Sequence, residues 1–322
     1  MKLIEIQHEL IFEKDKHFAE CHASTILKVG EKLLCAYFAG TKEGKDDVRI
    51  FLSVNENGKW REPKQMTFTD DIPCWNPVLF EYDGTIFLFY KAGKKIPEWQ
   101  TFYMTSKDGE NWSEPAELVE GDTSGGRGPV KNKAIRLSDG RIAAPASVET
   151  KIKWDAFVDI SADGGKTWQK SDYMGFSHLG AKGKGIIQPT LWEADGKIYA
   201  LLRSTESRVL KSVSEDGIHW SKCEKTKLPN NNSGIDCVKL RNGSVVVIHN
   251  PIDADWGDRN IISYAITDDN GETFTEPVTI EEDSDTEAEF SYPAVITDGE
   301  YLYITYTHYR KGVMFRKFRI EF

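Results

Sequence analysis

The stretch SADGGKTW (residues 161–168) places an acid and two glycines between the apolar run AFVDI and a tryptophan. A single such stretch would be an ordinary hairpin tip. This one recurs, as SVNENGKW (53–60), TSKDGENW (105–112), SEDGIHW (214–220) and TDDNGETF (267–274). The closing aromatics are Trp60, Trp112, Trp168, Trp220 and Phe274, at intervals of 52, 56, 52 and 54 residues. So regular a period marks a repeat architecture.

A second pattern fills the space between the tips. Two apolar runs flank a tight turn, as in CWNPVLFEYDGTIFLFYKAG, IQPTLWEADGKIYALLRST and SYPAVITDGEYLYITYTHYR, and six such pairs occur. Alternating runs split by Asp-Gly or Asn-Gly are a strong hairpin signal. A third run, such as VRIFLSV or AFVDISA, precedes each tip, and a fourth is expected after it. Four-stranded units of about 50 residues predict a β-propeller. The reading is an all-β, six-bladed propeller forming one domain over residues 1–322. The end segments KLIEIQHELIF and VMFRKFRIEF are both strand-like, and are expected to share one blade and close the ring. A β-sandwich would leave the period unexplained, and no long 3.6-residue pattern argues for helix.

Bulk composition narrows the function classes. The 322 residues carry 41 basic and 51 acidic side chains, a net charge of −10. A nucleic-acid partner is disfavoured, because phosphate binding needs a basic surface. Cys21, Cys35, Cys74, Cys223 and Cys237 are widely spaced and include no CxxC pair, which predicts free thiols in a reducing compartment. The N-terminal segment alternates apolar and polar residues, and no run of about 18 apolar residues occurs. A cytoplasmic protein with no membrane partner is expected. No cluster with metal-ligand spacing appears, so neither metal nor cofactor is expected.

In a propeller the inner strands of all blades converge on the central channel. The first run of each repeat opens with polar residues: His22, Asn76, Lys131-Asn132, Gln188, Asp236 and Tyr292. Strand capping would favour Ser, Thr, Asn or Asp. Lys, Gln, Tyr and His at one phase predict a functional pocket at one rim. Second runs also end in polar or charged residues: Lys91, Glu149, Arg203, Asn250 and His308 to Arg310. Arginine suits bidentate carboxylate binding. Trp75, Trp99, Trp154 and Trp256 are candidates for stacking on sugar faces, the last two foremost. GDTSGGRGP (121–129) reads as a channel-side loop carrying Arg127. PNNNSGID (229–236) reads as a polar loop whose amides bind hydroxyls.

The tip pattern S/T-x-D-x-G-x-T-W/F resembles the Asp-box of the sialidase (neuraminidase) superfamily. SADGGKTW and TDDNGETF fit it, and the other three are variants of it. Beyond the tips, ECHAST, CWNPVLF, GPVKNKAI, QPTLWE, LLRS, PNNNSGID and FSYPAVI resemble BNR-repeat, sialidase-like proteins over nearly the whole chain. The resemblance implies that the box residues are structural. It also implies an exo-sialidase-like glycoside hydrolase that acts on a terminal acidic sugar of a glycan at the central channel. Sialidases hold the sugar carboxylate with three arginines, and use a Tyr activated by a Glu as nucleophile and an Asp as acid. By resemblance, Arg203 and Arg259 are the second and third arginines, Tyr292 is the nucleophile, and Asp46 or Asp47 is the acid. Arg310, Lys91, Asn76, Lys131, Asn132, Gln188 and Asp236 complete the expected substrate-binding set.

Two positions depart from the pattern. His22 stands where the first arginine belongs, and Gln188 where the glutamate belongs. Glutamine cannot act as a base, so Glu149 or another channel acid would have to substitute. A histidine beside Tyr292 and Arg203 also suits a lyase acting on a uronic-acid-containing polysaccharide. A non-catalytic glycan- or protein-binding propeller is the third reading.

Overall fold

The structure is a computed structural model that describes residues 1–322. Its strands form six antiparallel sheets around a central channel. Blade 1 runs from Glu20–Val29 outward, blade 2 from Cys74–Tyr82, blade 3 from Ile135–Arg136, blade 4 from Ile186–Ala194, blade 5 from Asp236–Lys239 and blade 6 from Phe290–Thr297. Helix is confined to one 3-10 turn, Ile96–Glu98. The ring closes as the end segments predict: Lys2–Leu10 pairs antiparallel with Gly312–Glu321 as the outer strand of blade 6.

The hydrophobic core is divided among the blade interfaces. Six clusters of buried apolar residues each join two neighbouring blades. Leu34, Ile50 and Leu52 of blade 1 pack with Leu79 and Leu88 of blade 2. Ile26 and Tyr37 of blade 1 pack with Tyr303 and Phe315 of blade 6. Both faces of each sheet are therefore covered, which explains why the strands read as near-continuous apolar runs.

Four tips are Asp-boxes in geometry. In SADGGKTW, Asp163 Oδ1 accepts from the Lys166 and Thr167 amides and from Ser161 Oγ, and Thr167 Oγ1 donates to Oδ2. The hydroxyl of Thr167 and these amides hold the Asp163 carboxyl down at about 2. Asp108, Asp216 and Asp269 repeat the arrangement. Each box glycine lies against the preceding blade: Gly109 on Leu34, Gly165 on Phe87, Gly217 on Ile160 and Gly271 on Lys211. These tips are wedges between blades. The first tip, SVNENGKW, differs from its siblings. Asn57 and Gly58 both have positive φ and join Glu56 to Lys59 as a two-residue hairpin, with no box carboxylate.

One local device positions the channel residues. In blades 1, 2, 4 and 6 the inner strand slips register against its neighbour, between His22/Thr25, Trp75/Val78, Ile187/Thr190 and Ser291/Ala294. Each slip holds one non-glycine residue at positive φ: Ala23, Asn76, Gln188 and Tyr292. Bulges re-aim side chains, and strained left-handed residues concentrate at functional sites. The phase read from sequence is therefore off by one in blade 1. Ala23 is the counterpart of Asn76, Gln188 and Tyr292, and His22 is the residue before the bulge.

Candidate functional site

A cavity of about 390 Å³ opens at one mouth of the channel. Its charged and titratable lining comprises His22, Glu43, Lys94, Glu149, Arg203, Arg259 and Arg310, alongside Tyr292, Gln188 and Asn76. Trp75, Trp99, Trp154 and Trp256 supply most of its apolar wall. The inner-strand bulges of blades 2, 4 and 6 deliver Asn76, Gln188 and Tyr292. The end of Lys197–Ser204 delivers Arg203. The last hairpin delivers Arg310, itself at positive φ.

Tyr292 lies at the centre. Arg203 Nη1 donates to its hydroxyl at 2.6 Å and Gln188 Nε2 at 3.3 Å. The ring of His22 is 4.1 Å away, centroid to centroid. The guanidinium carbons of Arg203 and Arg259 each lie 5.7 Å from the Tyr292 ring centroid. Arg203 is oriented further by Asn232, whose Oδ1 accepts from Nε at 2.8 Å, and by Gln188 Oε1 at 3.2 Å. All of its partners are neutral, and it is 4% exposed.

The other two arginines share a counter-ion. Glu289 accepts from Arg259 Nη1 at 2.8 Å and from Arg310 Nε at 2.7 Å, and Arg310 also pairs with Glu43. Burial opposes ionisation of Glu289, yet the guanidinium groups of Arg310 and Arg259 outweigh it and hold the carboxyl far below its usual range. Burial, reinforced by Arg310, pushes His22 well below the ordinary histidine range, so its imidazole is neutral. Nδ1 of His22 is 2.7 Å from Thr307 Oγ1, which leaves Nε2 as the ring nitrogen for the cavity. Burial pushes the half-buried Glu149 carboxyl up, against the opposing pull of Arg203 and Lys184.

Several expected site residues lie elsewhere. Lys91 is buried between strands, where Nζ donates to Thr101 Oγ1 and the Arg127 carbonyl, and burial lowers it to about 7. Lys131 lies beneath the cavity and donates to Asn132 Oδ1 and to the carbonyls of Ile235 and Pro293. Burial lowers it too to about 7. Asn132 donates to the carbonyls of Gln188 and Pro189 and so pins the blade 4 bulge. Asp236 is consumed by Lys133, Thr190 and the Val295 amide. Asp47 is exposed and bonds Thr41, and Asp46 pairs with Lys94 at 2.8 Å. The loop before the first box strand does supply a cavity acid, but that acid is Glu43.

Two loops also differ from expectation. Arg127 makes a bidentate pair with Asp159 and donates to the Trp168 carbonyl, away from the channel. The amides of PNNNSGID are fully buried; Asn231 and Asn232 tether the loop carrying Trp256, through Asp258 and Asp255. Glu289 escaped the sequence reading. Its signal was indirect: arginines gathered in a channel need a carboxylate behind them.

A family model described as a BNR repeat-like domain matches residues 31–304. The chain belongs to the BNR repeat-like family. No curated protein matches it. Among solved structures, this BNR-repeat propeller resembles a protein of unknown function from Dyadobacter fermentans at 15% identity. The TM-score is 0.77, with 99% of each chain covered. It also resembles Trypanosoma rangeli sialidase in complex with 2,3-difluorosialic acid, at 15% identity and TM-score 0.70. That match covers 93% of this chain and 54% of the other. The NanB sialidase of Streptococcus pneumoniae matches at 14% identity and TM-score 0.72, over 97% of this chain and 70% of the other. The chain thus spans about half of the Trypanosoma enzyme. At these identities the likeness concerns the fold, that of a sialidase-like propeller.

Proposed function

We propose that this protein is a glycoside hydrolase that removes a terminal acidic sugar from a glycan. One observation carries the reading: Arg203 is buried at the cavity, held by three neutral groups, beside Arg259 and Arg310. A buried cation without a counter-ion is costly, and an incoming carboxylate would supply one. The sialidase-like fold supports a carbohydrate ligand.

In this reading Tyr292 attacks the anomeric carbon, and the hydrogen bond from Arg203 stabilises the phenolate as it forms. Gln188 offers Tyr292 a donor in place of a base. Neutral His22, packed on the Tyr292 ring, takes the phenol proton. Glu149, whose carboxyl holds its proton to unusually high pH, protonates the leaving oxygen as the glycosidic bond breaks. Its carboxylate then takes a proton from the water that displaces Tyr292 from the anomeric carbon, and His22 returns the phenol proton. The tryptophans contact the sugar faces.

The test is release of free acidic sugar from sialyl and uronosyl glycosides, read by mass spectrometry. Wild type should turn over one acidic class, and Arg203→Ala and Tyr292→Phe should each lose roughly a hundredfold or more. A wild type inert on the whole panel sinks the hydrolase reading. The neutral His22 against Tyr292 also favours a second reading, a lyase that removes the proton beside a uronate carboxylate. Its product would show the absorbance of an unsaturated uronate. Binding without turnover, insensitive to Tyr292→Phe, would instead make the protein a glycan receptor.

A further inference from the structure

Outside the cavity, two loops of blades 3 and 4 form a cationic rim on a protein whose net charge is −10. The first is the turn 150–153, between Ile142–Glu149 and Trp154–Ser161, which carries Lys151, Ile152 and Lys153. The second is 179–184, which carries Leu179, Lys182 and Lys184. The loops are joined: the Trp154 amide donates to the Lys184 carbonyl at 2.9 Å, and Trp154 pairs with Gly185. Lys184 Nζ lies 5.5 Å from the centre of the Trp154 ring. That ring lines the cavity and meets Trp256 edge-on at 6.1 Å.

Most of this charge is unspent. Lys153 pairs with Asp155, which also holds His178. Lys151, Lys182 and Lys184 form no ion pair and are exposed, and apart from Glu149 of the cavity the nearby acids are occupied. Glu206 pairs with Lys225, Asp253 with Arg208, and Asp255 accepts from Asn232. The two joined loops thus present unpaired ammonium groups beside the cavity wall. Trp154 links the cavity to the rim, because the Arg203 guanidinium lies 5.6 Å and Lys184 Nζ 5.5 Å from the centre of its ring.

We propose that this rim is a second anion-recognising subsite, and that the ligand is an oligosaccharide acidic at more than one residue. Its terminal carboxylate enters the arginine cavity, and a carboxylate or sulfate on a following sugar meets Lys151, Lys182 and Lys184. This deepens the reading of the cavity as an acidic-sugar site and rests on it. A glycan with a single acidic group would leave the rim without a partner.

Calorimetric titration tests this without requiring turnover. The probes are uronic-acid and sialic-acid monosaccharide glycosides, each beside the matching acidic tetrasaccharide, at low and physiological salt. The tetrasaccharide should bind about tenfold or more tightly than the monosaccharide at low salt, with the gain shrinking as salt rises. In Lys151→Gln/Lys182→Gln the gain should collapse, and in Lys151→Arg/Lys182→Arg it should persist. A tetrasaccharide gain that survives the glutamine pair overturns the subsite, as does a monosaccharide that binds with no gain on elongation. Binding to phosphatidylserine vesicles in place of the tetrasaccharide overturns it as well, in favour of a membrane surface. If no monosaccharide binds and Arg203→Ala alters nothing, the cavity reading fails first.

Discussion

At the scale of single residues, the site sets two titratable groups apart. Burial holds His22 neutral far below its usual range, and burial holds Glu149 protonated above its own. If His22 is the base and Glu149 the acid, activity needs the first deprotonated and the second protonated. The pH profile of kcat should then be a bell, its lower limb from His22 and its upper limb from Glu149. Glu149→Gln should lower kcat by a hundredfold or so and abolish the upper limb. The same substitution should leave the fold at least as stable. A carboxyl whose folded value is raised binds its proton more tightly in the native state, so stability falls as pH rises through the interval between unfolded and folded values. Glutamine removes that loss. Thermal denaturation should show Glu149→Gln matching wild type at acid pH and exceeding it at neutral pH. A variant less stable at neutral pH would mean that Glu149 pairs with a cation in the ground state.

At the scale of elements, the bulge decides which residue faces the cavity. Asn76, Gln188 and Tyr292 each precede a proline, and proline inside a strand is itself a sign of a bulge. Blade 1 lacks that sign at Ala23-Ser24, which is why period alone misplaced His22 by one position. The blade 4 bulge depends on Asn132, whose amide satisfies two buried carbonyls. Asn132→Ala should cost about 2 kcal/mol, because both carbonyls lose their partner. It should also weaken ligand binding, since Gln188 orients Arg203 and Tyr292. Chemical denaturation and calorimetry check the two halves. Loss of stability with unaltered affinity would separate the bulge from the site. Period, tips and ring closure were legible in the sequence because each is a local pattern repeated along the chain. So were the four cavity tryptophans, Arg203 and Arg310, near strand ends and connections, whereas Arg259 was reached through the family resemblance. What was not legible is pairwise. Whether Asn132, Lys131 or Asp236 faces a ligand or a neighbouring blade depends on partners 46 to 162 residues away.

At the scale of the whole molecule, the ring is held by its interfaces, and one carboxylate ties four of its blades together below the cavity. Asp236, on blade 5, accepts from Lys133 of blade 3, from Thr190 Oγ1 of blade 4 and from the Val295 amide of blade 6. It is 1% exposed. The same blades carry the cavity above: Gln188 and Arg203 come from blade 4 and Tyr292 from blade 6. Cavity geometry and global stability therefore share this knot. Removing one member of a buried, hydrogen-bonded ion pair strands the other, at a cost of about 3–5 kcal/mol. Asp236→Ala should therefore lower stability by that amount in chemical denaturation. Asp236→Asn, which keeps the shape and one acceptor, should lose less. If the blades act as one unit, fluorescence of the cavity tryptophans and far-ultraviolet circular dichroism should report a single coincident transition in both variants. An early loss of tryptophan signal, with sheet content intact, would instead show that Asp236 secures the cavity and not the ring.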